Sequence, residues 1–249
     1  MTKNKKFGLI GKNISYSFSK KYFTEKFKNL ELNNYTYENF DLRAIEDFPA
    51  MYKDLRGQIQ GFNVTIPYKQ DIIKYLDEID EDANTIGAVN TIKIMKEGKL
   101  KGYNTDIYGF ENSLRPLLHS HIKKALILGT GGASKAIAFV LKKNDIYCNF
   151  VSRNPTNTQT ISYDDLDVRV ISNHHLIINC TPVGTFPNIE SSPGIPYEFL
   201  GDKHFLYDLV YNPEVSTFLA RGEERGAKIK NGEEMLQLQA DRSWEIWNS

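Results

Sequence analysis

The sequence predicts an α/β protein of two domains, one of them a Rossmann-like dinucleotide-binding fold. Three observations carry this. Strand-like and helix-like segments alternate along nearly the whole chain, the pattern of βαβ units. One of these alternations, over 124–143, runs from a short apolar strand through glycines directly into a helix. With 249 residues, 41% hydrophobic and 25% charged, the chain can build two modest cores of ordinary globular composition.

Taken in order, 6–10 reads as a strand and 17–30 as a helix, with Ser17 or Ser19 placed to cap it. Strand 35–40 precedes helix 42–55. Strand 58–66 is stopped by Pro67, which suits the first position of a helix over 69–76. Segments 88–95 and 99–102 form a hairpin around Glu97-Gly98, and 107–118 is helical. Strand 124–128 leads into helix 133–143 and strand 147–151. Strands 176–179 and 205–210 follow, then helices 215–225 and 233–247. The series 124–230 can form a domain by itself, and the first hundred residues form another; the residues alone leave open which domain the final helix joins.

Charge and composition exclude several function classes. The formal net charge is zero and no basic stripe stands out, so nucleic acid is not an expected partner. The apolar run Phe7–Ile10 is too short for a signal-peptide core or a membrane span, so a cytoplasmic protein with no membrane partner is expected. Cys148 and Cys180 both lie in apolar, strand-like runs and read as buried, reduced thiols. His119, His121, His174, His175 and His204 lie in polar, loop-like settings. No matching ligand pattern accompanies His119-x-His121, and no metal site is expected.

The glycine turn Gly129-Thr130-Gly131-Gly132-Ala133-Ser134 points to a pyrophosphate. Glycines let the backbone approach phosphate oxygens, and a helix N-terminus offers free N–H donors and the positive end of its dipole. Ser134, at the third motif position, is small enough for close helix–strand packing. The next strand ends in Ser152-Arg153-Asn154 without the acid that would bind a ribose 2′-hydroxyl, whereas Arg153 can meet a 2′-phosphate; the reading is NADP.

Three clusters of polar residues follow strands elsewhere: 15–19, 63–69, and Asn90-Thr91 with Asn104-Thr105-Asp106. Strand ends are where α/β folds place ligand groups. Lys69 is expected in the first turn of a helix, where it opposes the dipole, a poor position for stability and a useful one for a lysine that must exchange its proton. Asp106 precedes a helix and is placed to cap it.

Several segments then resemble, in order, the motifs of the shikimate dehydrogenase family. Residues 11–19 (GKNISYSFS) resemble its G-x-P-I-x-H-S-x-S, and 61–69 (GFNVTIPYK) its G-x-N-V-T-x-P-x-K. Segments 87–91 (GAVNT), 102–106 (GYNTD), 179–184 (NCTPVG), 208–213 (DLVYNP) and 232–240 (GEEMLQLQA) continue the likeness. The resemblance implies an N-terminal α/β substrate domain of 1–105 with 231–249 and an NADP-binding Rossmann-like domain of 106–230, with the active site in the cleft between them. It implies reversible oxidation of shikimate to 3-dehydroshikimate by NADP⁺ in the shikimate pathway to chorismate and aromatic amino acids, carried out by a monomer or homodimer.

Residue roles follow from the same resemblance. Lys69 and Asp106 are the catalytic pair. Ser17 and Ser19 hold the substrate carboxylate, with Asn63, Thr65, Asn90, Tyr211 and Gln239 on its remaining groups. Gly129, Thr130, Gly131, Gly132, Ala133, Ser152, Arg153, Thr181, Val210 and Gly232 hold NADP. Departures are Asn13, Tyr16 and Lys20, where the family has proline, histidine and proline, and Ser152 and Asn157, where asparagine and a second basic residue are usual. Competing readings are a quinate/shikimate dehydrogenase with relaxed cofactor choice, and a non-catalytic dinucleotide-binding regulatory module. Retention of Lys69 and Asp106 opposes the second.

Overall fold

The computed structural model describes residues 4–15, 17–155 and 160–249, so Tyr16 and Asn157 lie outside the described residues. The chain forms two compact units, Met1–Thr105 with Gln239–Ser249 and Asp106–Leu238.

The first unit contains β1 (Lys5–Gly11), α1 (Phe18–Asn29), β2 (Tyr35–Asp41), α2 (Phe48–Leu55), β3 (Ile59–Val64), β4 (Glu78–Ile79), α3 (Glu81–Ile86), β5 (Thr91–Ile94) and β6 (Leu100–Tyr103). Its sheet has the order β2-β1-β3-β5-β6-β4. β1 is parallel to β2 and β3, and β5 is antiparallel to β3 and β6. Alternation along β1 sends Phe7 and Leu9 to one core with Phe23, Phe27, Tyr37 and Trp247, and Ile10 to the other with Phe48, Phe62 and Ile72. Gly61 permits the first core to close. A Cβ there would lie 2.3 Å from Trp247 Nε1, whose N–H donates to the Ile92 carbonyl at 3.0 Å. The hairpin turn between β5 and β6 holds Glu97 and Gly98 at φ of 64° and 79°.

Two helices of this unit differ from their sequence reading. The helix expected over 42–55 begins only at Phe48, after a 3₁₀ turn Ile45–Asp47. Pro49 fits a first helical turn but not an interior. The helix expected over 69–76 is a 3₁₀ segment, Asp71–Tyr75, and Pro67 follows a cis peptide in a turn rather than opening a helix. The Lys69 carbonyl is taken by the Val89 N–H at 2.7 Å, a non-helical partner.

The second unit contains α4 (Asp106–Leu114), β7 (Lys124–Leu128), α5 (Gly132–Lys143), β8 (Tyr147–Ser152), β9 (Thr160–Ser162), α6 (Val168–Asn173), β10 (Leu176–Asn179), β11 (Phe205–Asp208), α7 (Thr217–Glu223) and β12 (Lys228–Lys230). Its strands pair in parallel in the order β12-β11-β10-β7-β8-β9. Ala125–Leu128 and Leu176–Ile178 are wholly buried, the continuous apolar runs that a sheet covered on both faces requires. The strand expected to reach Val210 stops at Asp208, whose carboxylate accepts the Val210 N–H at 3.0 Å. The helix expected from 215 starts at Thr217, capped by Ser216. β4, β9, β12, α3 and α6 have no counterpart in the sequence reading.

The last helix, α8 (Glu233–Asn248), contributes to both units: residues through Leu238 belong to the second, and those from Gln239 onward to the first. Among the described residues, no helix is long and apolar enough to cross a membrane. Cys148 and Cys180 are free thiols, half-buried rather than fully enclosed.

Candidate active site

In the first unit the register of β3 and β5 sets Asn63 opposite Thr91. Around this pair lies a buried polar network. The Tyr37 hydroxyl donates to Asn63 Oδ1 at 2.8 Å. Asn63 Nδ2 donates to Ser243 Oγ at 2.9 Å and faces Thr91 Oγ1 at 3.2 Å. Asn90 Oδ1 accepts the Thr105 N–H at 2.7 Å, and Thr105 Oγ1 reaches Gln239 Oε1 at 3.3 Å. Asn63, Asn90 and Gln239, all expected at the site, are therefore joined with Tyr37, Thr91, Thr105 and Ser243. Buried polar atoms require such partners, because an unsatisfied one costs about 1–3 kcal/mol.

Ser17 and Ser19 lie at the start of α1. Ser17 occupies the N-cap position with extended backbone but makes no capping hydrogen bond, contrary to its expected capping role. Its Oγ is buried and has no hydrogen-bond partner among the described residues. The first turn of α1 also carries no acidic residue. An oxygen-rich anion would satisfy this hydroxyl and complement the helix end. Ser19 hydrogen-bonds the Tyr37 phenol, whose ionisation burial pushes far above the usual range. Thr65 and Lys69 are half-buried in the segment after β3, which is tied to β1 by the Thr65 N–H donating to Ile10 O at 2.8 Å. Lys69 lies in a turn, so the opposing helix dipole expected there is absent.

In the second unit, β7 leads into the glycine turn. Gly129 has φ of +104°, a conformation that L side chains rarely adopt, and its N–H donates to Val151 O at 2.9 Å. A Cβ at Gly131 would meet nothing within 4 Å, so the turn is open before the first turn of α5. Thr130 and Gly131 are exposed, with Gly132 and Ala133 half-buried behind them. Ser134 is buried against the helix–sheet contact and donates to Gly131 O at 2.6 Å. This cradle fits a dinucleotide pyrophosphate: the backbone can be approached, and the first N–H groups of a helix lack intrahelical acceptors. At the end of β8, Ser152 Oγ accepts the Asn154 N–H at 3.2 Å and leaves Arg153 exposed, as contact with a 2′-phosphate requires.

A second polar network stands behind β10 and β11. Asn179 Nδ2 donates to Asp208 Oδ1 at 2.9 Å, while Asn179 Oδ1 accepts from Thr181 Oγ1 at 2.6 Å. Ser216 donates to the other Asp208 oxygen. Burial raises the Asp208 carboxyl to about 6, opposed by hydrogen bonds from Ser216, the Val210 N–H and Asn179. Gly232 donates its N–H to Val210 O at 3.2 Å and approaches the Leu209 carbonyl so closely that a Cβ would lie 2.3 Å from it. Asp106 is buried as the first residue of α4, not its cap. Tyr211 is half-buried, and burial raises its phenol.

All five histidines lie in loops, as expected, but two of them are not in polar, open settings. His174 and His204 are buried, with His174 Nδ1 bonded to Val170 O at 2.7 Å and His204 Nε2 to Ile171 O at 3.1 Å. Among the described residues, no group of three or more His, Cys, Asp and Glu side chains is placed to hold a metal ion. Tyr37 and Ser243 are the network members that sequence reasoning missed. Each lies in a segment of mixed polarity, YTYENF and SWEIW, so neither stands out in the sequence.

Residues 9–92 match the family model described as the shikimate dehydrogenase substrate binding domain. A shikimate dehydrogenase (NADP⁺) of Methanococcus maripaludis is 41% identical over 261 residues, covering 99% of this chain and 92% of the relative. A crystal structure of shikimate dehydrogenase 1 from Peptoclostridium difficile superposes with a TM-score of 0.85 at 36% identity, covering 98% of this chain and 91% of that one. The shikimate 5-dehydrogenase of Thermus thermophilus, solved in complex with NADP(H) and shikimate, gives 0.85 at 29% identity, with 97% and 92% covered.

Proposed function

The chain belongs to the shikimate dehydrogenase family, and from that premise we propose that it interconverts shikimate and 3-dehydroshikimate with NADP as the hydride carrier. It is an NADP-dependent oxidoreductase acting on a CH–OH group. The observation that carries the substrate assignment is Ser17: a buried hydroxyl without a partner, at the start of a helix with no acid in its first turn, awaits a carboxylate.

In this reading Ser17 and Ser19 donate to the substrate carboxylate. Asn63, Thr65, Asn90, Tyr211 and Gln239 line the rest of the substrate. Lys69 exchanges a proton with the reacting oxygen, and Asp106 orients it by opposite charge. NADP, when bound, takes or returns the hydride at its nicotinamide. Gly129, Thr130, Gly131, Gly132 and Ala133 approach its pyrophosphate, Ser152 and Arg153 its 2′-phosphate, and Thr181, Val210 and Gly232 its remaining length. The first unit thus serves as the substrate domain and the second as the nucleotide domain. We place the enzyme in the cytoplasm as a monomer or homodimer.

The test is absorbance at 340 nm with shikimate or quinate, each offered with NADP⁺ or NAD⁺. Reduction is expected first with shikimate and NADP⁺. Absence of reduction in all four combinations overturns the enzyme reading, and equal rates with quinate or NAD⁺ overturn the stated specificity.

A further inference from the structure

β11 ends at Asp208, whose side chain is wholly buried. An ionised carboxyl can only accept, and this one takes donors from three separate stretches of the second unit. Oδ1 accepts from Asn179 Nδ2 at 2.9 Å and from the Val210 N–H at 3.0 Å, and Oδ2 accepts from the Ser216 hydroxyl. The three donors do not depend on it equally. Asn179 Nδ2 has a second acceptor in Val183 O at 3.2 Å, and Asn179 Oδ1 is held by the Thr181 N–H at 3.0 Å, so this amide keeps its orientation without Asp208. Ser216 also accepts the Leu219 N–H at 3.4 Å as the cap of α7, a bond that does not use its own proton. For the Val210 N–H, Asp208 Oδ1 is the one acceptor among the described residues.

That bond closes an Asx turn: a side-chain oxygen takes the N–H two residues on and turns the chain where β11 ends. The other side of Val210 is held as well, since its carbonyl accepts the Gly232 N–H at 3.2 Å. Gly232 in turn lies so close to Leu209 that a Cβ would meet the Leu209 carbonyl at 2.3 Å, so a shift of 209–210 is felt at Gly232. We propose that Asp208 is a positioning residue for the cofactor: it fixes Val210, and through the Val210 carbonyl Gly232, where both approach NADP. The inference rests on the proposed cofactor contacts of Val210 and Gly232; the hydrogen bonds that hold the turn are independent of them. What the turn needs is an acceptor at Oδ1, not a negative charge. Ser152 and Arg153 are assigned to the 2′-phosphate, so Val210 and Gly232 meet the part that NADP and NAD share, and Asp208 serves both alike.

Asp208→Ala is expected to raise Kd for NADPH and for NADH alike, by about five- to tenfold, the effect of one lost hydrogen bond, read from nicotinamide fluorescence. KM for shikimate should stay within about twofold of wild type. Asp208→Asn keeps Oδ1 as an acceptor, and Ser216 can accept from its NH₂ group, so affinity should return to the wild-type value. Ser216→Ala leaves both Oδ1 bonds in place and should also bind as wild type does. Hydrogen exchange of the Val210 amide, followed in ¹H–¹⁵N spectra, needs no nucleotide: it should quicken in Asp208→Ala and stay slow in the other two variants. Asp208→Val takes the place of Asp208→Ala where the latter does not fold; if neither folds, Asp208→Asn and Ser216→Ala decide by the same two measurements. Four results would overturn the proposal: a loss of affinity in Asp208→Asn, weak binding by Ser216→Ala, a rise for NADPH without one for NADH, or a Val210 amide still protected in folded Asp208→Ala. If wild-type protein binds neither nucleotide, the functional reading fails, and Val210 exchange still decides whether Asp208 holds this turn.

Discussion

The first unit gathers side chains that bond to one another inside the core, whereas the second offers main-chain groups on an exposed turn. Asn63, Asn90, Thr91, Thr105 and Ser243 are all buried and mutually satisfied. The Gly129–Gly132 turn presents mainly backbone: Gly129 takes a positive φ, and at Gly131 a Cβ would meet nothing within 4 Å. A network of side chains can discriminate hydroxyl patterns, because each wrong partner leaves a buried group unpaired. A backbone cradle recognises phosphate whatever is attached to it. On the proposed reading, substrate discrimination would rest on the buried network and cofactor preference on the single exposed side chain of Arg153, a division that the following experiments test.

The largest effect expected from breaking this division is at Lys69. Lys69→Ala should lower kcat by about 10²–10⁴-fold with a smaller change in KM for shikimate. Steady-state kinetics near wild type would remove Lys69 from the chemistry. Next, Arg153→Ala should raise KM for NADP⁺ by about 10–100-fold, the span of a lost charge-assisted contact, and leave KM for NAD⁺ little changed. A matching rise for NAD⁺ would dissociate Arg153 from the 2′-phosphate.

A third experiment contrasts the neutral network of the first unit with the buried carboxylate of the second. The Asp208 carboxyl is raised in the fold from 3.8 to about 6, so folding favours its protonated form. This group costs stability above pH 6, and the cost is relieved as pH falls from 6 toward 4, by about 3 kcal/mol at most. Urea titrations of wild type and Asp208→Asn should therefore show wild type gaining on the variant between pH 7 and pH 4.5; a loss instead would mean the carboxylate stays ionised. The smallest effect expected is at Ser17. Ser17→Ala should raise KM for shikimate about fivefold while changing stability by less than about 1 kcal/mol, because the hydroxyl removed has no partner in the fold. A clear fall in melting temperature would show a structural role instead.

How much of this was legible beforehand depends on the distance over which each feature is specified. Strand, glycine turn and helix at 124–143 are consecutive, and the local pattern located them to within a residue. Turn geometry was harder. The 63–69 segment resembled a strand feeding a helix, but the Lys69 carbonyl is committed to Val89, a partner twenty residues away. Elements of two to six residues, such as β4, β9 and α3, are too short to show a period. The hydroxyl network was least legible: Asn63 and Ser243 are 180 residues apart, and only the folded sheet and α8 bring them together.

The division of α8 between the units has a consequence for synthesis. The second unit, Asp106–Leu238, is one unbroken stretch and can fold as it leaves the ribosome. The first unit cannot finish then, because Gln239, Ser243 and Trp247 are translated after the whole of the second. Until they arrive, Gly61 faces no indole and Asn63 and Thr91 lack their shared hydroxyl. The nascent chain thus completes its glycine turn first and holds its polar core open until the final helix is made.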